Sequence, residues 1–188
     1  MASSKPSRRT VRIGVFIPSE CQLLDLACVD VFGSMSHEYL TNLEFLPSAV
    51  TDLAPDVDIS YIGTIQPGGQ ESVHATSGLR IATTHHLSDP AVGPGKLDIV
   101  FVPGPDPRGS WDKDTTQWLA AQGACEGTDI LSVCTGIFLC GEAGLLKDRR
   151  VCGPRGLQKQ LKERFEGATW LGDELRWVQD GNFWSSGT

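Results

Sequence analysis

Three short runs rich in β-branched residues constrain the fold of this chain more than any other feature. They are VRIGVFI (Val11–Ile17), LDIVFVPG (Leu97–Gly104) and TDILSV (Thr128–Val133). Apolar residues crowd neighbouring positions in these runs, the pattern of strands covered on both faces, and turn or helix signals follow each one. VDISYIG (Val57–Gly63) and LRIATT read as further strands, IQPGGQES as a loop, and RVCG, ATWL, RWV and NFW as short strands. Helical spacing appears from Leu23 to Leu40, from Asp114 to Gln122, through TGIFLCGEAGLL, and in GLQKQLKERF (Gly156–Phe165). Strands alternating with helices predict an α/β three-layer sandwich around a mainly parallel sheet. The 188 residues fit one domain, read as 11–188 behind a disordered polar tail at 1–10.

Charge and cysteine usage narrow the function. Sixteen Lys and Arg against 23 Asp and Glu give a net charge of −7, which argues against a nucleic-acid binder. The start, MASSKPSRRT, is polar and basic and is no secretory signal; an organelle-targeting role is the lesser reading. The apolar runs fall short of the roughly 20 residues that a membrane span needs. The expectation is a cytoplasmic protein with six reduced cysteines, no membrane partner and no bound metal, since no CxxC pair or zinc-type His and Cys spacing occurs. Cys28, Cys125, Cys140 and Cys152 read as small apolar residues of the core.

In open parallel sheets the site lies at the carboxyl ends of the strands, which singles out Ile17–Asp25, Val102–Pro107 and Val133–Gly136. SVCTG (Ser132–Gly136) sets Cys134 between an apolar strand and an apolar helix, with a glycine just after it. That is the pattern of a nucleophile elbow, a sharp turn that lifts one side chain out of the sheet. A helix start beside sulfur favours its thiolate. Backbone N–H groups of Gly104 and Thr135 are candidate donors to an anion formed on the substrate. Asp25, an acid among leucines in CQLLDLACVDVFG, reads either as a helix-start carboxylate or as a buried functional one. Asp30 reads as solvated, and His85-His86 as a surface pair.

LLDLACVDVFG, LDIVFVPGPDP and SVCTG, in that order, resemble the ThiJ/PfpI superfamily, which has the class I glutamine amidotransferase-like (flavodoxin-like) fold. GPRGLQKQLKERF and RWVQDGNFWSSG look like later segments of a fungal-type group within it. Asp in LLDL with Cys-Thr at the elbow looks most like the isonitrile hydratase branch. The resemblance implies a cofactor-free lyase acting on a small-molecule substrate, and a homodimer. Cys134 would be the nucleophile and Asp25 the acid/base. Thr135 would position water or substrate, and Gly104 would give an oxyanion N–H. VCGPRGL carries no histidine where peptidase- and glyoxalase-like members pair one with the cysteine. The spacing from Asp25 to VDVF is one residue shorter than the hydratase pattern, so Asp25 and Glu20 both compete to face the sulfur. The chain stops soon after SSG, where relatives continue into a further helix, so a short C-terminal edge with exposed apolar sheet is expected. The alternatives are another cysteine-dependent hydrolase or metabolite-tailoring enzyme, or a non-catalytic redox-responsive protein.

Overall fold

The structure, a computed structural model, describes residues 8–68 and 72–187. Its centre is a seven-stranded sheet. From one edge to the other run Trp177–Asp180, Phe183–Ser186, Asp129–Val133, Ile99–Val102, Thr10–Phe16, Asp56–Gly63 and His85–His86. Pairing is parallel throughout except between Trp177–Asp180 and Phe183–Ser186, which are antiparallel. The α/β three-layer fold with a mainly parallel sheet is therefore the observed one.

Successive side chains of a strand point to opposite faces, and here both faces are apolar. Phe16, Ile62, Val100, Val102, Ile130 and Phe183 point to one side, into a core shared with the helices Lys113–Gly123, Gly136–Glu142 and Gln158–Arg164. Val15, Ile17 and Phe101 point to the other, where Val29 and Phe32 of the helix Cys28–Ser34 cover them. Two-sided burial is the physical reason these strands read as nearly unbroken apolar runs.

Several expectations need correction. The sheet begins at Thr10, and Arg8 reaches Asp52 and Asp56 at 3.9 and 3.7 Å, so residues 8–10 belong to the fold; residues 1–7 lie outside the described residues. The segment from Leu23 to Leu40 forms three short helices, Leu23–Leu26, Cys28–Ser34 and His37–Thr41, rather than one. It breaks after Leu26 and again at Ser36, whose hydroxyl caps the third helix by accepting the Tyr39 N–H. Leu24 and Met35 consequently face solvent, 78% and 57% exposed. Of LRIATT only Arg80–Ile81 is strand, and it joins Glu20–Cys21 and Val73–Ala75 in a separate three-stranded sheet. His85-His86 is a partly buried edge strand rather than a surface pair. Cys28 is exposed and not a core residue.

An apolar groove of about 230 Å³ runs over the sheet beside Phe101, Leu131, Val133 and Trp184, with Cys28 and Trp177 also lining it. No helix among the described residues is long and apolar enough to cross a membrane.

Phe138 is fully buried and meets Phe165 edge-on at 6.2 Å. Truncating it leaves a cavity under the helix that follows the elbow. Phe138→Ala is expected to lower stability by about 3–5 kcal/mol, measured as a shift of the urea midpoint at unchanged slope.

Candidate functional site

Three strand ends meet at one buried point. Asp129–Val133 runs into Cys134, whose φ of +55° places a non-glycine residue in the left-handed region. The helix Gly136–Glu142 follows two residues later. Gly136 makes this sharp reversal feasible, because any Cβ there would collide with the carbonyl oxygen of Val102 on the neighbouring strand. The Cys134 N–H is held by the Ser186 carbonyl at 3.0 Å. The elbow read from SVCTG is thus present in the backbone itself.

Asp25 arrives from the loop after the first strand, inside the short helix Leu23–Leu26. That helix has no side-chain N-cap, and Asp25 is only 2% exposed. Its carboxyl points into the fold rather than along the helix start. It accepts the Gly104 N–H at 3.0 Å and lies beside the Cys134 thiol. Gly104 is clamped at both ends of its backbone, since its carbonyl accepts the Gln22 N–H at 2.9 Å. A Cβ on Gly104 would lie 2.5 Å from both Asp25 Oδ2 and Thr135 Oγ1. Glycine is therefore required here for close approach, not for an unusual φ.

Glu20 takes a different place. Its Oε1 accepts the Asp106 N–H at 3.1 Å, which fastens the loop after Ile99–Val102. Of the two carboxylates, Asp25 is the one beside Cys134.

Two residues have tasks other than those expected. The Gly104 N–H is spent on the Asp25 carboxylate, so it is not an open oxyanion donor. The Thr135 hydroxyl donates to the Pro105 carbonyl at 2.7 Å and pins the Gly/Pro loop against the elbow, rather than being directed at a water or substrate. The Thr135 N–H lies beside Gly104, 3.1 Å from where a Cβ would stand.

Burial pushes the Asp25 carboxyl above its ordinary value, and the Gly104 N–H and the Cys134 thiol pull it partly back. Cys134 is 5% exposed. Cys21 was not anticipated as a neighbour. It is buried four residues before Asp25, and burial, with Asp25 and then Glu20 adding to it, pushes its thiol up to about 11. No local pattern signals this, because Cys21 lies in a strand and Asp25 in the helix that follows it. Cys140 is likewise pushed up to about 12 by burial. The histidines lie elsewhere: His37 Nδ1 lies 2.9 Å from the Thr51 carbonyl, His74 is exposed on Val73–Ala75, and His85 and His86 sit on the edge strand beside Thr84 and Ser88. Among the described residues no three His, Cys, Asp or Glu side chains gather as a metal site.

A parallel α/β sheet with a left-handed cysteine elbow against a buried carboxylate defines a class of cysteine-centred α/β proteins. Within that class, this chain belongs to the DJ-1/PfpI family, whose model matches residues 37–188. Gly104, Cys134 and Thr135 fall inside the match, and Asp25 precedes it. A ThiJ/PfpI family protein from Pseudomonas syringae is similar in structure, with a TM-score of 0.71 at 20% identity over 100% of this chain and 69% of that one. DJ-1 of Schizosaccharomyces pombe has a TM-score of 0.66 at 13% identity, over 95% and 84% of the two chains. Drosophila melanogaster DJ-1beta has 0.67 at 15%, over 95% and 82%. At such identities the likeness is one of fold. No curated protein matches the chain.

Two outcomes follow. A carboxyl whose value is raised in the native state stays protonated where the unfolded chain has already ionised. Its contribution to stability is therefore lost as pH climbs from 3.8 through the higher native value. Asp25→Asn cannot titrate and is expected to flatten that slope; urea unfolding between about pH 4 and 8 measures it, and parallel slopes for the two proteins would refute the assignment. Gly104→Ala, forcing two side chains aside, is expected to lower stability by about 1–3 kcal/mol, read from the same denaturation curves.

Proposed function

We propose that the protein is an isonitrile hydratase-like enzyme of the DJ-1/PfpI family, and a fungal-type member of it. The observation that carries this reading is the buried Asp25 carboxyl beside a cysteine held at φ +55° in the strand-to-helix turn. A nucleophilic cysteine needs a base within reach. Here that group is a carboxylate with a raised value, one able to take the thiol proton and to give it back.

The net reaction is R–N≡C plus water giving R–NH–CHO. Asp25 accepts the thiol proton while Cys134 sulfur forms a bond to the terminal isonitrile carbon. The same proton passes from Asp25 to that carbon, leaving a thioimidate, R–N=CH–S–Cys134. Asp25, again a carboxylate, removes a proton from water as its oxygen adds to the thioimidate carbon. The proton held by Asp25 restores the thiol as the C–S bond breaks, and the second water proton ends on nitrogen. The formamide thereby gains one oxygen and two hydrogens, the hydrogen on carbon coming from the thiol and the thiol being restored from water, and no oxidant or reductant enters. The Thr135 N–H is the backbone donor proposed to face the reacting group. Thr135 Oγ and the Gly104 backbone keep the carboxylate and the elbow in register.

One feature favours a second reading. The thiol is almost wholly buried, which suits attack by a very small oxidant such as a peroxide. A carboxyl beside the sulfur would hydrogen-bond the sulfenic or sulfinic product, giving a redox-responsive protein without turnover.

Purified protein incubated with cyclohexyl isonitrile is expected to release N-cyclohexylformamide, measured by mass spectrometry. Cys134→Ala is expected to abolish release, and Asp25→Asn to slow it by about 10²–10⁴-fold, the range for a lost general acid/base. Equal turnover by wild type and Cys134→Ala would remove the enzymatic reading. Stoichiometric peroxide oxidation at Cys134 without turnover would select the second one.

A further inference from the structure

On the sheet face covered by Cys28–Ser34, a cavity of about 560 Å³ opens between that helix, the helix His37–Thr41 and the strand Asp56–Gly63. Its volume is in the range of small-molecule sites. Val29 and Ile59 form its apolar part, Tyr39 and Tyr61 supply two aromatic rings, and Asp30 and Glu38 are its charged groups. Neither Cys134 nor Asp25 lines it.

The lining has an unbalanced chemistry. Two carboxylates share it with no lysine, arginine or histidine. The other polar groups of the lining are neutral: the Ser34 hydroxyl donates to the Val31 carbonyl at 3.0 Å, Ser36 Oγ accepts the Tyr39 N–H at 3.1 Å, and Asn42 carries an amide. Asp30 lies close enough to Tyr61 to push its phenol up, adding to the larger effect of burial. Asp30 and Tyr61 line the same cavity. An anion is repelled there, and a neutral guest gains nothing from the two carboxylates. A hard metal ion needs several convergent oxygens, and no metal-type cluster of side chains forms among the described residues. A cation wrapped in alkyl groups has a use for each part of the lining: carboxylates for the charge, aromatic rings for cation–π attraction and apolar side chains for the methyl groups.

We propose that this cavity binds a small alkylammonium cation, seated against Tyr39 and Tyr61 with Asp30 and Glu38 as its counter-charges.

The test is a ¹H–¹⁵N NMR titration of the whole chain with choline chloride. Sodium chloride at equal ionic strength and 3,3-dimethylbutan-1-ol, the neutral isostere of choline, are the controls. Saturable shifts confined to residues 28–42 and 57–63 are expected. The neutral alcohol should bind at least about fivefold more weakly, as loss of cation–π and ionic attraction requires. Asp30→Asn and Glu38→Gln, both exposed changes that keep side-chain size, should each weaken binding, and Cys134→Ala should not. Absence of saturable shifts, equal binding of the neutral alcohol, or unchanged affinity in both carboxylate variants would overturn the proposal. None of these outcomes depends on turnover at Cys134, so this site and the proposed reaction fail or stand separately.

Discussion

A carboxylate removed from water must find donors within the protein, since leaving it unpaired costs several kcal/mol. Asp25 meets that demand by drawing three separate strand ends to one point. The Gly104 N–H comes from the end of Ile99–Val102, the Cys134 thiol from the turn after Asp129–Val133, and Asp25 itself from the loop after Thr10–Phe16. The parallel register makes the meeting feasible, because the three strands are adjacent and end at the same side of the sheet. Around this point the chain adds backbone ties, from Thr135 to Pro105, from Asp106 to Glu20 and from Gln22 to Gly104. Most of the site is thus a scaffold that aims one carboxyl at one sulfur.

The same demand separates the cysteines chemically. Cys21 lies near the same carboxylate and Cys140 lies deep in the core, and burial suppresses ionisation in both. Cys134 differs through its place on a left-handed turn beside the buried Asp25 carboxyl. Position in the fold, rather than any property of cysteine as a residue type, decides which thiol can be put to use.

What could be read from the residues was whatever the local pattern determines by itself. LDIVFV and DILSV declared themselves as strands because both of their faces are covered, so nearly every position had to be apolar. SVCTG declared the elbow because small residues are needed on both sides of it, and Gly136 has no room for a Cβ. Pattern failed where distant contacts decide. Glu20–Cys21 and Val73–Ala75 are too short for periodicity and exist through pairing, with each other and, for Val73–Ala75, with Arg80–Ile81. Leu24, Val31 and Met35 stand at helical spacing yet face outward, because the segment breaks into short helices that turn these positions away from the sheet. The destination of the Gly104 N–H was likewise hidden, since its acceptor lies 79 residues away in sequence. Asp25 was visible as an anomaly but had two local explanations. Only its burial and its bond to the Gly104 N–H separate them.

The backbone at Cys134 has a consequence for how such a chain could change over time. A left-handed φ at a residue with a Cβ costs roughly 1–2 kcal/mol, and glycine adopts it without that penalty. Folding alone would therefore favour Cys134→Gly, a single replacement that relaxes the turn and removes the sulfur. A lineage in which the thiol ceased to matter has a downhill path to losing it, so at this elbow the demands of stability and of chemistry pull in opposite directions.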